Sequence, residues 1–159
     1  KTRQPAPALF RLGVALEAAQ RWDEAERAYL DALGQDPKLF GAYNNLAFMM
    51  AERKVKLDQA LTWIEKAAEI APQSATVRDT KGWVFRARGN LPGAAELIQQ
   101  AVKLDPNSAA IRYHFGVVLV ELGRKPEAVA SFKKSLELNP NSRHADTIRD
   151  HLRKLGEKA

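Results

Sequence analysis

Four prolines recur along this chain, at Pro37, Pro72, Pro106 and Pro140, with spacings of 35, 34 and 34 residues. Each closes a segment that resembles the one before it. A repeat of this length specifies stacked supersecondary units, because one such unit cannot bury its apolar face alone and its neighbours must cover it. Within the first segment Leu9, Leu12, Leu16 and Ala19 recur at helical spacing, and residues 20–23 break the pattern, with Asp23 as the expected N-cap of a second helix. Ala25, Ala28, Tyr29, Ala32 and Leu33 form that helix's apolar stripe, and Asp36 ends it, since the residue before a proline is driven out of the α region. The same reading gives helices over 39–52 and 58–70, 74–88 and 92–104, and 108–122 and 126–138. The extra residue of the longer interval falls in the turn at 53–57. A last helix, capped by Ser142 and carrying Ala145, Ile148, Leu152 and Leu155, should cover the final open face. No strand signal interrupts this series.

Aligned copies give columns with physical meaning. Gly13, Ala47, Gly82 and Gly116 place a small residue in the middle of each first helix, and Ala25, Ala60, Ala94 and Ala128 do so early in each second helix. Small side chains there let two helix backbones approach closely. A helical glycine costs about 1 kcal/mol against alanine, so three in one column imply packing that outweighs the cost. Tyr29, Ile64, Ile98 and Phe132 form a bulky column expected to fill space between neighbouring pairs, and Ala32, Ala67, Ala101 and Ser135 restore a small contact one turn later.

Composition removes several function classes. The 159 residues include no cysteine, which excludes disulfides, thiolate nucleophiles and cysteine metal sites. No apolar run approaches the roughly 20 residues of a membrane span. The formal charge of +6 invites a nucleic-acid reading, but the 25 basic residues are interspersed with 19 acidic ones in the manner of solvated helix faces. The chain begins with Lys1, which reads as a fragment of something longer. His114, His144 and His151 lack the spacing of a metal site or catalytic dyad, and no phosphate loop or nucleophile elbow is present. The expectation is a protein that is not an enzyme and holds no metal or cofactor.

Read through Leu12, Gly13, Leu16, Ala25, Tyr29, Ala32 and Pro37, the first copy resembles the tetratricopeptide repeat, and the later copies match through Tyr43, Leu46, Ala47, Ala60, Ile64, Ala67 and Pro72; Gly82, Phe85, Ala94, Ile98, Ala101 and Pro106; and Phe115, Gly116, Leu119, Ala128, Phe132 and Pro140. The resemblance implies an all-α right-handed superhelical solenoid of antiparallel helix pairs, forming a single domain over 1–159 with repeats at about 6–39, 40–74, 75–108 and 109–142 and a capping helix at about 142–156. Arg78 and Arg112 depart from the family's preference for a large apolar residue early in the first helix, and Lys81 stands where the other copies carry Leu12, Leu46 and Phe115. The stretches from Asn44 to Ala47 and Asp79 to Trp83 also resemble repeats of bacterial envelope and polysaccharide-export proteins, leaving the compartment open between cytoplasm and periplasm.

Proteins similar to this bind a peptide or partner helix on the concave face lined by the first helices. On that face one column reads Phe10, Asn44, Asp79 and Tyr113, the next Val14, Phe48, Trp83 and Val117, and Asn45 and Arg86 lie beside them. The expected site is an open aromatic patch at Phe48 and Trp83, oriented by Asn44, Asp79 and Tyr113, with packing as the competing role for each aromatic. The family's chaperone-tail clamp is absent: Asn45 fits one of its asparagines, but Phe10, Val14, Thr76 and Thr80 stand where basic or amide groups are needed. Arg53, Lys54, Lys56, Arg88, Arg124 and Lys125 cluster at the turns as a basic rim, where charge neutralisation of helix C-termini competes with polyanion binding. The reading is a protein–protein interaction module, part of a larger assembly; a spacer or self-association module is the first alternative, and nucleic-acid or acidic-polymer binding along the rim the less favoured second.

Overall fold

The computed structural model describes residues 4–158, and among them nine helices and no strand. Two compact units result, Lys1–Pro72 and Gln73–Ala159, so the boundary follows the second of the recurring prolines. Unit 1 contains α1 (Ala6–Ala18), α2 (Trp22–Gln35), α3 (Phe40–Arg53) and α4 (Leu57–Ile70). Unit 2 contains α5 (Ala75–Ala87), α6 (Leu91–Leu104), α7 (Ala109–Glu121), α8 (Lys125–Leu138) and α9 (Ala145–Lys154). In unit 1 α1 packs on α2, α2 on α3 and α3 on α4. In unit 2 the same order joins α5 to α6, α6 to α7, α7 to α8 and α8 to α9, and α5 also meets α7 directly.

Each pair closes through the same turn. The backbone N–H groups of Arg21, Val55, Asn90 and Arg124 reach back to the carbonyls of Leu16, Met50, Phe85 and Leu119, at 2.9–3.0 Å, which satisfies carbonyls that a helix end leaves bare. The turn requires one left-handed residue, supplied by Gln20, Lys54, Gly89 and Gly123 in the four copies. The extra residue of the second copy makes Lys56 left-handed as well, and its ammonium is held by Glu26 at 2.8 Å. Between pairs, Asp36, Asp105 and Asn139 accept side-chain hydrogen bonds from the backbone of Lys38, Asn107 and Asn141, the residue after each proline, which fixes the chain reversal.

The glycine column has a specific cause. A Cβ added to Gly13, Gly82 or Gly116 would lie 2.5 Å from Tyr29, Ile98 or Phe132 respectively. Tyr29, Ile98 and Phe132 thus each lie on the glycine of their own pair, and two of them also reach the next element: Tyr29 accepts from Asn45 of α3, and Phe132 stacks on His151 of α9. Fully buried Tyr29, Leu46, Met49, Met50 and Ile64 build the core of unit 1, and Ile98, Leu119, Phe132, Ile148 and Leu152 that of unit 2. Each such side chain contributes about 1.5–3 kcal/mol through burial.

Helix starts show two further corrections. Asp23 is not an N-cap: α2 begins at Trp22 behind Arg21, and Asp23 lies in its first turn, where a negative charge complements the helix dipole. Ser142 does not cap α9, which starts at Ala145 behind His144 with no side-chain cap. Ser74 and Ser108 do cap, accepting from the N–H groups of Val77 and Ile111 at 3.3 Å, and Asn90 accepts from Gly93 at 3.0 Å.

Candidate interaction surface

In unit 1 the inner face of α1 and α3 is organised by a polar network. The Tyr29 hydroxyl donates to Glu17 Oε2 at 2.7 Å and accepts from Asn45 Nδ2 at 3.2 Å, so α2 supports both first helices from below. Burial, and then the hydrogen bond to the Glu17 carboxylate, push the Tyr29 hydroxyl far above its ordinary value and keep it a neutral donor. Asn44 donates to Asn45 Oδ1 at 3.3 Å, and its own Oδ1 is buried with no hydrogen-bond partner among the described residues. Around this network Phe10, Asn45 and Phe48 are half-buried and Val14 is 44% exposed. Phe10 lies against the Tyr29 ring, with centroids 5.8 Å apart.

In unit 2 the equivalent helices are joined by a ladder of side chains. Asp79 and Arg86 stand two turns apart on α5, as do His114 and Glu121 on α7. Buried His114 places Nδ1 2.7 Å from Oδ2 of buried Asp79, and Arg86 Nε donates to Glu121 Oε2 at 2.9 Å. Trp83 fills the space between these rungs: its ring centre is 4.4 Å from that of His114, and the Arg86 guanidinium lies 4.4 Å from the Trp83 ring on the exposed side. Val117 is buried beside this group. Half-buried Tyr113 carries the ladder to the start of α9 by stacking on His144 at 4.1 Å. Burial, with Arg143 adding charge repulsion, pushes His144 down to about 4, so the stacked imidazole is neutral at neutral pH.

The residues read from the repeat columns thus separate into two classes. Phe10, Val14, Asn45, Phe48, Arg86 and Tyr113 reach the surface in part or in full, whereas Asn44, Asp79, Trp83 and Val117 are buried. Trp83 in particular is only 4% exposed, so it is not the open aromatic that the columns suggest; His114 and Arg86 cover it. The columns placed Glu17 with Arg86 on this face, but they did not single out His114 or Glu121. Their signal is a separation of 35 residues, one more than the repeat, which relates neighbouring columns in successive copies.

The basic rim is neutralised in part. Arg21 pairs with Glu24, Lys56 with Glu26 and Arg124 with Glu127, while Arg53 lies 5.3 Å from the centre of the Trp22 ring. Lys54, Arg88 and Lys125 are exposed cations of the same turns. Among the described residues no group of three or more His, Asp or Glu is arranged to hold a metal ion, and no helix is long and apolar enough to cross a membrane.

Two family profiles, each described as "Tetratricopeptide repeat", match residues 6–39 and 80–143 and together cover well over half of the chain. A curated relative, Protein O-mannosyl-transferase Tmtc2 of Drosophila melanogaster, is 33% identical over 67 residues, which is 42% of this chain and only 7% of that protein. Among solved structures, PilF of Pseudomonas aeruginosa aligns with a TM-score of 0.74 at 21% identity, covering 94% of this chain and 69% of the other. MamA from Desulfovibrio magneticus RS-1 aligns with a TM-score of 0.68 at 24% identity, covering 87% and 77%. At these identities the structural likenesses are likenesses of fold, that of stacked helix pairs.

Proposed function

Because the chain belongs to the tetratricopeptide-repeat family, whose fold serves protein interaction in general, we propose that it is a non-enzymatic module that takes an extended peptide or partner segment on the inner faces of its first helices. The observation that carries this reading is the two-tier construction of those faces. Positions that pack within a pair repeat from copy to copy, whereas the inner positions do not, and they place surface groups over a fixed buried layer. In unit 1 Phe10, Val14, Asn45 and Phe48 offer apolar contact beside amide hydrogen bonding, above the Tyr29 network. In unit 2 Arg86 and Tyr113 are the contact groups, and Asp79, Trp83, His114 and Val117 hold them from beneath. Fixing a contact side chain before binding lowers the ordering cost that association must overcome.

Panning a displayed random-peptide library on the full chain tests this reading. Recovered peptides should lose more than about 1 kcal/mol of affinity to Phe48→Ala or Val14→Asp variants that retain the helical signal, and should bind Arg124→Glu normally. Peptides indifferent to the inner-face variants would overturn the assignment. Affinity that collapses with salt and with Arg124→Glu would instead favour the rim and a polyanionic ligand.

A further inference from the structure

Helix α9 is the shortest of the described helices, with 10 residues, and no side chain caps its start. A helix of that length is marginal in water, so α9 persists only while it is docked. Its docking side carries Ala145, Ile148 and Leu152, all buried, and it packs on α8. An imidazole flanks this apolar strip at each end of the helix. His151 stacks on the Phe132 ring of α8 at 4.9 Å, and His144 stacks on Tyr113 of α7 at 4.1 Å, with the planes only 15° apart.

We propose that His144 is an acid-sensitive latch, which holds α9 on α7 as a neutral ring and releases the helix when it takes a proton. Three features of its surroundings oppose a cation. Arg143 Nε donates to Nε2 of His144 at 3.0 Å, so that nitrogen is an acceptor and carries no proton. His144 occupies the N-cap position of α9, where the positive end of the helix dipole repels a charge of the same sign. The ring is also half-buried against Tyr113, with the His114 ring 6.1 Å away. Nearby acids are engaged elsewhere: Asp79 of α5 binds His114, and Asp146 of α9 pairs with Arg149. From α8, uncharged Phe132 lies beside Tyr113. His151 contributes less. Burial and Lys154 disfavour its protonated form, but Asp150 and Glu121 favour it, as does the negative end of the dipole. On α8, Lys133 is taken up by Glu157.

The direction of the pH dependence follows. Docking is at full strength above the ordinary histidine value of 6.5, and it weakens as pH falls from there toward about 4, where docked His144 itself titrates. Linkage favours undocking by up to about thirtyfold at about pH 5, which solvent around a half-exposed ring reduces to roughly tenfold. Release uncovers Tyr113, Phe132 and the side of α8 on which α9 packs.

Amide hydrogen exchange of the full chain, corrected for intrinsic rates, reads the opening of α9 at about pH 7 and about pH 5. The opening constant of α9 should rise roughly tenfold while that of α6 changes little. His144→Phe keeps a stacked ring and has no proton to take, so its α9 should open equally at both pH values. An NMR titration of the wild-type His144 ring, which does not depend on how the variant packs, should give a midpoint well below that of a free histidine. Opening of α9 that ignores pH, the same rise in a folded His144→Phe chain, a parallel rise in α6, or an ordinary midpoint for His144 would each overturn the proposal.

Discussion

The turn inside every helix pair needs one left-handed residue, and the two units fill that position differently. Unit 2 uses Gly89 and Gly123, while unit 1 uses Gln20 and Lys54 and adds a third left-handed residue at Lys56. A side chain in that conformation costs about 1 kcal/mol that glycine avoids. Helix starts follow the same division: Ser74, Asn90 and Ser108 cap α5, α6 and α7 with side-chain hydrogen bonds, and no helix of unit 1 has one. The inner faces differ too, with amide and phenol groups in unit 1 and an ionic, aromatic ladder in unit 2. One architecture is thus held mainly by packing in the first unit, and by packing together with local polar chemistry in the second.

The largest effect should come from the ladder. His114→Leu leaves the Asp79 carboxylate buried without its imidazole and should cost about 3 kcal/mol, whereas Asn45→Leu removes two neutral hydrogen bonds, one donated to Tyr29 and one accepted from Asn44, and should cost about 1–2 kcal/mol. Native-state hydrogen exchange, which reads opening energies region by region, should place the first loss in unit 2 and the second in unit 1. Equal losses would remove the distinction between the two faces. Next comes the glycine column. Gly116→Ala pushes a methyl group into Phe132 and should destabilise by about 2 kcal/mol in urea titrations, while Gly34→Ala, on an exposed stretch of α2 with open space around it, should gain about 1 kcal/mol. The smallest effect tests the turns. Lys54→Gly should stabilise by about 1 kcal/mol and Gly123→Ala should lose a similar amount, because the left-handed position is the same and only the occupant is exchanged.

The helix pairs were legible because the recurring prolines and the 3.6-residue periodicity act within a few residues of each other. The helix over 92–104 differs from the observed α6 by one residue, and Pro7, Pro92 and Pro126 all lie in first turns. The glycine column was legible as close packing, though its contact with Tyr29, Ile98 and Phe132 depends on side-chain direction, which spacing alone does not give. Caps were not legible: the sequence reading starts helices at Ser74 and Ser108, which cap them instead, and it puts a cap at Ser142, where two more residues intervene before α9 begins. The inner face was legible as a set of positions and not as a set of contacts. Aligning equivalent positions set Asp79 beside Tyr113, but the bond runs from Asp79 to His114, across one column and one copy. The same offset hid Trp83, whose burial follows from the neighbours that this diagonal brings over it.

The uneven placement of caps and glycine turns has a consequence for how the chain is made. Synthesis runs from the amino terminus, so the unit with fewer local instructions leaves the ribosome first and the unit with more leaves last. Packing partners in this fold are neighbours in sequence, and such contacts form early because little loop closure is needed. α5, α6 and α7 each carry a start signal, and the pairs they open also carry a glycine stop, so their helix ends are defined locally as they emerge, before neighbouring pairs cover their apolar faces. α1 to α4 depend instead on docking their apolar faces together. Local definition of helix starts during biosynthesis is therefore stronger from α5 to α7 than from α1 to α4.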